Sequence, residues 1–119
     1  MKRLIALALL IAAPALAEDP VIENVSVTRT GTDTYRFSVT IRHPDTGWDH
    51  YADGWRVLDM EGNELGMRVL FHPHETEQPF TRSLDGVVIP AGTTQVQVQA
   101  RDLPAGWNAG TTIVDLPGS

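Results

Sequence analysis

Tyr35-Arg36-Phe37-Ser38-Val39-Thr40-Ile41-Arg42 decides the fold. Apolar side chains at 35, 37, 39 and 41 alternate with polar ones at 36, 38, 40 and 42. That period of two marks a strand with one face in a core and the other in water. The same text recurs on both sides of it. Val96, Val98 and Ala100 alternate with Gln95, Gln97, Gln99 and Arg101. Leu65, Met67, Val69 and Phe71 form a further apolar face, opposite Arg68, Leu70 and His72. Val25 with Val27, Trp55 to Asp59, Phe80 to Leu84, Val87 to Ile89 and Thr112 to Leu116 complete the set.

Turn signals separate these runs. Thr30-Gly31-Thr32-Asp33 divides the first two, and Pro44-Asp45-Thr46-Gly47 suits a type I turn. Glu61-Gly62-Asn63 closes a hairpin, and Pro90-Ala91-Gly92 and Pro104-Ala105-Gly106 follow. No window carries apolar residues at helical spacing over three turns. The chain is therefore expected to be all-β, a single antiparallel β-sandwich of about seven strands.

Trp55 in an early central strand, and Ile89-Pro90-Ala91-Gly92-Thr93-Thr94-Gln95-Val96-Gln97-Val98-Gln99-Ala100-Arg101 near the end, carry a family likeness. The chain resembles immunoglobulin-like and fibronectin type III-like domains, the second stretch being similar to a type III turn and penultimate strand. Thr94 and Gln95 stand where that family carries a tyrosine. The central stretches, Trp48 to Trp55 and His72 to Leu84, resemble those of small secreted bacterial proteins of uncharacterised function. That likeness implies no activity.

The N-terminus reads as a secretory signal peptide over residues 1–17. Lys2 and Arg3 precede the apolar run Leu4 to Ala13, Pro14 breaks it, and Ala15-Leu16-Ala17 fits the small-x-small cleavage rule. The run is too short to span a bilayer as a stable helix. Cleavage leaves residues 18–119 as one domain of about 100 residues. The expected location is periplasmic or secreted, with no membrane insertion after cleavage and a monomer in solution. No Cys follows the expected cleavage site, so a lipid-anchored lipoprotein is not expected.

Charge narrows the partners. The net charge of −6 falls two units further once Lys2 and Arg3 are removed. An acidic domain is repelled by phosphate backbones, so no nucleic acid is expected as a partner. With no cysteine in the chain, neither disulfides nor thiolate metal sites are open to it.

Chemistry concentrates in the middle third, where all four histidines lie: His43, His50, His72 and His74. Residues two apart on an extended chain share a face. Pro73 favours extended geometry for itself and for His72 before it. His72 and His74 therefore read as a pair leaving a strand away from the core, able to supply two nitrogen ligands to zinc or copper. His50 or His43 would supply a third, and Glu75 and Glu77 oxygen ligands. His43 falls on the inward parity of the Tyr35–Ile41 strand.

Other features carry weaker chemistry. Asp45, Asp49 and Asp53 recur every four residues, a spacing unlike an EF-hand loop. Trp48, Tyr51 and Trp107 are candidates for an aromatic platform holding a protein or glycan, whereas Trp55 reads as core. Met67 reads as core and Met60 lies in the hairpin loop. Ser26, Ser38 and Ser83 lie in strand text without a nucleophile-elbow pattern, so no enzyme is expected. The sequence thus points to an exported, non-catalytic binding domain holding a transition metal through the His-x-His pair. The alternative is a metal-free protein- or glycan-interaction module of the adhesion type.

Overall fold

A computed structural model describes residues 19–118; the expected signal peptide lies outside them. Eight strands follow one another: β1 (Val21–Arg29), β2 (Thr34–Arg42), β3 (Tyr51–Leu58), β4 (Glu64–Val69), β5 (Phe80–Val88), β6 (Gln95–Leu103), β7 (Gly106–Trp107) and β8 (Thr112–Asp115). There is no helix among the described residues. One sheet has the order β1-β2-β5. The other runs β4-β3-β6, with the short β7 and then β8 paired to β6. Every pairing is antiparallel. This is the all-β sandwich that the alternation predicts, with one small strand more than expected.

The two inner faces make a single core. Tyr35, Phe37, Val39 and Ile41 of β2 are buried, as are Trp55 and Val57 of β3 and Val96, Val98 and Ala100 of β6. Phe80 and Val87 of β5, with Ile89 just beyond it, close the core from the first sheet. The polar parity of β2 faces outward, where Ser38 and Thr40 meet Ser83 and Thr81 of β5 at 2.7 Å each. Arg36 pairs with Asp85 on the same surface. The Glu61-Gly62-Asn63 hairpin forms as expected. The Asp59 carboxylate accepts the backbone N–H of both Glu61 and Asn63, and Gly62 supplies the positive φ.

Three expectations are corrected. Phe80–Leu84 and Val87–Ile89 are not two strands; the first and most of the second form β5. The pairing with β2 steps from Phe37↔Leu84 to Tyr35↔Val87, which leaves an extra residue on β5. Gly86, at φ 68°, absorbs that bulge.

Second, β4 has the opposite parity from Gly66 onward, while Leu65, at the register shift, still packs against the core. Arg68 is the cross-strand partner of the fully buried Trp55, and Gly66 that of Val57. Directly opposed residues share a face, so Gly66, Arg68 and then Leu70 turn inward. Leu70 is buried, while Val69 and Phe71 are exposed, Phe71 to 73%. Gly66 explains why this phase is chosen. A Cβ there would stand 3.2 Å from Leu84 and 3.4 Å from Val87 of the opposite sheet, so the bare backbone lets β4 close onto β5.

Third, the turn after β2 is not at Pro44–Gly47. It lies three residues later, where Gly47 and His50 form a bridge around Trp48 and Asp49. The chain from His43 to Thr46 runs on toward the second sheet instead. Asp45 draws it inward, because its carboxylate accepts the backbone N–H groups of Ala52 and His74.

Candidate functional site

The topology collects the chemistry at one end of the sandwich. Ile41 of β2 lies opposite Phe80 of β5, and Ala52 of β3 opposite Asp102 of β6. The end of β2, the start of β3, the end of β4, the start of β5 and the end of β6 therefore meet there. Both connections that cross between sheets at this end, β2–β3 and β4–β5, carry histidines: His43 and His50 on the first, His72 and His74 on the second.

His43 continues the inward parity of β2 and is buried. Its Nδ1 lies 2.5 Å from Asp45 Oδ1, and its Nε2 lies 3.0 Å from Asp102 Oδ2. Asp102 likewise continues the inward parity of Val96, Val98 and Ala100 and is 1% exposed. The His50 ring stands 4.7 Å from that of His43, and its Nε2 is 3.9 Å from the same Asp102 oxygen. His50 Nδ1 faces the Thr46 hydroxyl at 3.3 Å. One ligand atom from each of His43, His50 and Asp102 falls within 4.8 Å of the others, a group of three able to surround one cation.

Both ring nitrogens of His43 face carboxylate oxygens, so a neutral ring donates to one of them alone. With Nδ1–H of His43 donating to Asp45, its Nε2 presents a lone pair to the Asp102 carboxylate. Two lone-pair atoms 3.0 Å apart need a cation between them, either a proton or a metal ion. Two atoms at this spot have no hydrogen-bond partner although buried: His50 Nε2 and Asp102 Oδ1. A buried polar atom without a partner costs about 1–3 kcal/mol. Asp45 and Asp102 together bring two carboxylates into the interior, where a charge must be paired. A divalent cation held by this group would balance that charge and give His50 Nε2 a partner.

Asp45 is the hub beneath this group. Besides His43, its Oδ1 accepts the backbone N–H of Ala52 at 3.1 Å, and its Oδ2 accepts that of His74 at 2.7 Å. Gln78 fastens the two crossing connections together. Its side-chain oxygen accepts the His43 N–H at 2.9 Å, and its amide donates to the His74 carbonyl at 2.8 Å.

His72 and His74 do stand together, their rings 4.7 Å apart, but they do not leave the core as an exposed pair. His74 is 5% exposed and stacks on Phe80 at 3.9 Å. Its Nε2 accepts from Arg82 at 3.0 Å, which occupies that nitrogen, while its buried Nδ1 lies 3.9 Å from Asp45 without a hydrogen-bond partner. The reason is again Asp45, whose grip on the His74 N–H pulls the chain inward after Pro73. His72 remains exposed. Glu77 turns to Arg82 at 3.2 Å, and that bond holds its carboxyl below the usual range.

Burial, followed by the nearby Arg82 and His72, holds the His74 imidazole below its ordinary pKa of 6.5. The fold thus favours the neutral ring. Above pH 6.5 this has no effect on stability. As pH falls from 6.5 through the lower folded value, the unfolded chain binds the proton first and stability is lost. The thermal midpoint is expected to drop on acidification through this window, and to drop less steeply in His74→Asn. Equal slopes for both proteins would contradict the assignment.

The remaining candidates separate. Of the acidic series, Asp45 is buried among histidines, Asp53 pairs with Arg101 at 3.0 Å and Asp49 is exposed. They do not share a loop site. Trp48 is 66% exposed and meets Tyr51 edge-on at 5.8 Å. Trp107 is elsewhere engaged, with the Arg56 guanidinium 3.8 Å above its ring and that of Arg101 at 5.1 Å. Trp55 is core. Met67 lies against Gly54 rather than in the core cluster, and Met60 is exposed at the β3–β4 hairpin. Asp102 and Gln78 are not among the residues that the sequence singles out. A signal for Asp102 is nevertheless present there: a carboxylate on the apolar parity of a strand.

Comparison with known proteins adds one relative. A protein of Halomicrobium mukohataei named "Putative lipoprotein" is 40% identical over 94 residues, which take in 79% of this chain and 46% of the relative. The chain thus spans about half the length of that relative. No known protein family matches the chain. No solved structure matches it either.

Proposed function

We propose that the chain is an exported, non-catalytic β-sandwich domain that binds a transition-metal ion through His43, His50 and Asp102. The observation that carries this reading is the coincidence of two orphaned buried atoms, His50 Nε2 and Asp102 Oδ1, with a three-ligand group. Support also comes from what lies behind the ligands. A metal-bound histidine almost always donates its other N–H to a carboxylate or similar acceptor. His43 has Asp45 in that position and His50 has Thr46. Export is supported by the leader-like N-terminus and by the name of the Halomicrobium relative.

The immunoglobulin- and fibronectin type III-like reading is part of the same proposal. Its support is the division of the strands, β1, β2 and β5 in one sheet and β3, β6 and β8 in the other, which is how an immunoglobulin constant-type sandwich divides strands A, B, E and C, F, G; β4 joins the second sheet here.

Calorimetry on the domain without its leader tests the function. Zinc or copper(II) is expected to bind with one ion per chain, and Asp102→Asn to weaken binding about a hundredfold, since it replaces an anionic ligand with a neutral amide. Absence of metal-dependent heat at neutral pH would overturn the reading. An exposed Trp48 beside Tyr51 favours the second reading, a protein- or glycan-interaction module. That reading expects metal-independent capture of a peptide or glycan array ligand that is lost in Trp48→Ala, and it fails if the array returns no binding.

A further inference from the structure

Resting on the metal reading above, we infer that the ion is a zinc-class divalent cation in a buried, four-coordinate site, and that it works as the staple of a sandwich with no disulfide. The ligand set selects the class. Calcium and magnesium take six or more oxygen ligands, and this cluster offers two imidazole nitrogens and one carboxylate. Copper(I) prefers thiolate or thioether sulfur. The chain has no cysteine, Met60 sits at the β3–β4 hairpin, and Met67 lies against Gly54. Borderline divalent ions suited by imidazole and carboxylate remain.

Burial selects the coordination number. The His43 side chain has no exposure and that of Asp102 1%, while His50 reaches the surface with 19% of its side chain. The ligand shell is therefore screened from open solvent, and a fourth ligand comes from the protein or from a buried water. Asp102 Oδ1, buried without a partner, is the fourth donor at hand. Both imidazoles have their Nδ1 engaged from outside the cluster, by Asp45 and Thr46, which leaves Nε2 of each turned inward. Two nitrogens and one carboxylate are a three-residue zinc set, completed to four by the second Asp102 oxygen or a buried water; the burial of the ligands, not their identity, sets the site apart from an open catalytic centre.

The staple follows from where these ligands sit in the chain. His43 and Asp102 are 59 residues apart in sequence. The β2–β3 connection supplies both histidines, and β6 of the second sheet supplies the carboxylate. An ion here ties the segment that crosses between the sheets to the middle of the larger sheet. It binds only the folded arrangement, so its binding free energy becomes folding free energy.

The test strips the domain with a chelator and titrates zinc(II), cobalt(II), calcium and magnesium separately, following heat, thermal midpoint and visible absorption. Zinc is expected to raise the midpoint, which continues to climb with its concentration above the dissociation constant. Cobalt is expected to give the intense visible bands of a four-coordinate centre, and calcium and magnesium to leave the midpoint unchanged. His50→Gln, at the most exposed ligand, is the variant that keeps the fold, and Asp102→Asn is its buried counterpart. Each is expected to abolish the zinc-dependent rise.

If no ion gives heat or a shift, the metal reading itself falls. If zinc binds but the midpoint stays flat, or cobalt gives only weak six-coordinate bands, metal binding stands and the staple is overturned. If zinc binding survives both His50→Gln and Asp102→Asn, the assignment of the ion to His43, His50 and Asp102 falls and the staple with it, and loss in His72→Ala/His74→Ala would place the ion at that pair instead.

Discussion

Asp45→Ala is expected to destabilise the domain by about 3–5 kcal/mol, the cost of removing one partner from a buried charged network. In a domain of this size that lowers the thermal midpoint by roughly 12–40 °C. The size comes from the number of groups that one carboxylate satisfies. His43 Nδ1, the Ala52 N–H and the His74 N–H all direct their hydrogens at it. All three residues are buried, so no solvent replaces the lost acceptor. At about 1–3 kcal/mol for each of the three stranded donors the sum is about 3–9 kcal/mol, whose upper part exceeds the network figure. Relaxation of the β2–β3 connection brings it back down. Asp45→Asn keeps one acceptor oxygen and is expected to lose clearly less. Urea unfolding of the three proteins checks the order. A loss below about 1 kcal/mol for Asp45→Ala would show that the hub is not what holds these connections.

How far the sequence reveals this arrangement differs between fold and site. β2 and β6 are legible because each contributes every second residue to one core, and the pattern survives in the burial of Phe37, Val39, Val96 and Val98. β4 is not legible because both its parities are apolar enough. Leu65, Met67 and Val69 compete with Leu70, and the choice falls to Gly66, whose lack of a side chain permits contact with β5. No local pattern encodes that approach.

The site shows the same division. That His43 turns inward can be read from β2. The group it joins is made by cross-strand register, Ala52 against Asp102, and by two connections crossing at one end. Reading His72-Pro73-His74 as a local pair gives weight to sequence proximity. What decides which nitrogens are free is a long-range contact, Arg82 onto His74 and Asp45 onto its backbone. Asp102 is legible only to the question of why a carboxylate follows Ala100 on the inward phase.

Trp55→Ala is expected to cost about 3–5 kcal/mol, the range for deleting a large aromatic side chain from a core. Trp55 is completely buried, on the central β3 that pairs with both β4 and β6. Its ring therefore lies where the second sheet has neighbours on both sides, and strand movement cannot close the space. Its indole N–H has no partner, so the loss is one of packing alone. Trp55→Phe, which sheds the N–H and a smaller volume, is accordingly expected to lose much less than the alanine variant. Domains of this kind are stable by about 5–15 kcal/mol in total. Without disulfides, the chain has only its core and its polar end to draw on. Trp55→Ala acts on the first and Asp45→Ala on the second. If the Asp45 network is an independent clamp, the two losses add within about 0.5 kcal/mol, as for distant sites. A combined variant that still unfolds cooperatively, with a loss well short of that sum, would mean that the sandwich core and the histidine end are one coupled unit.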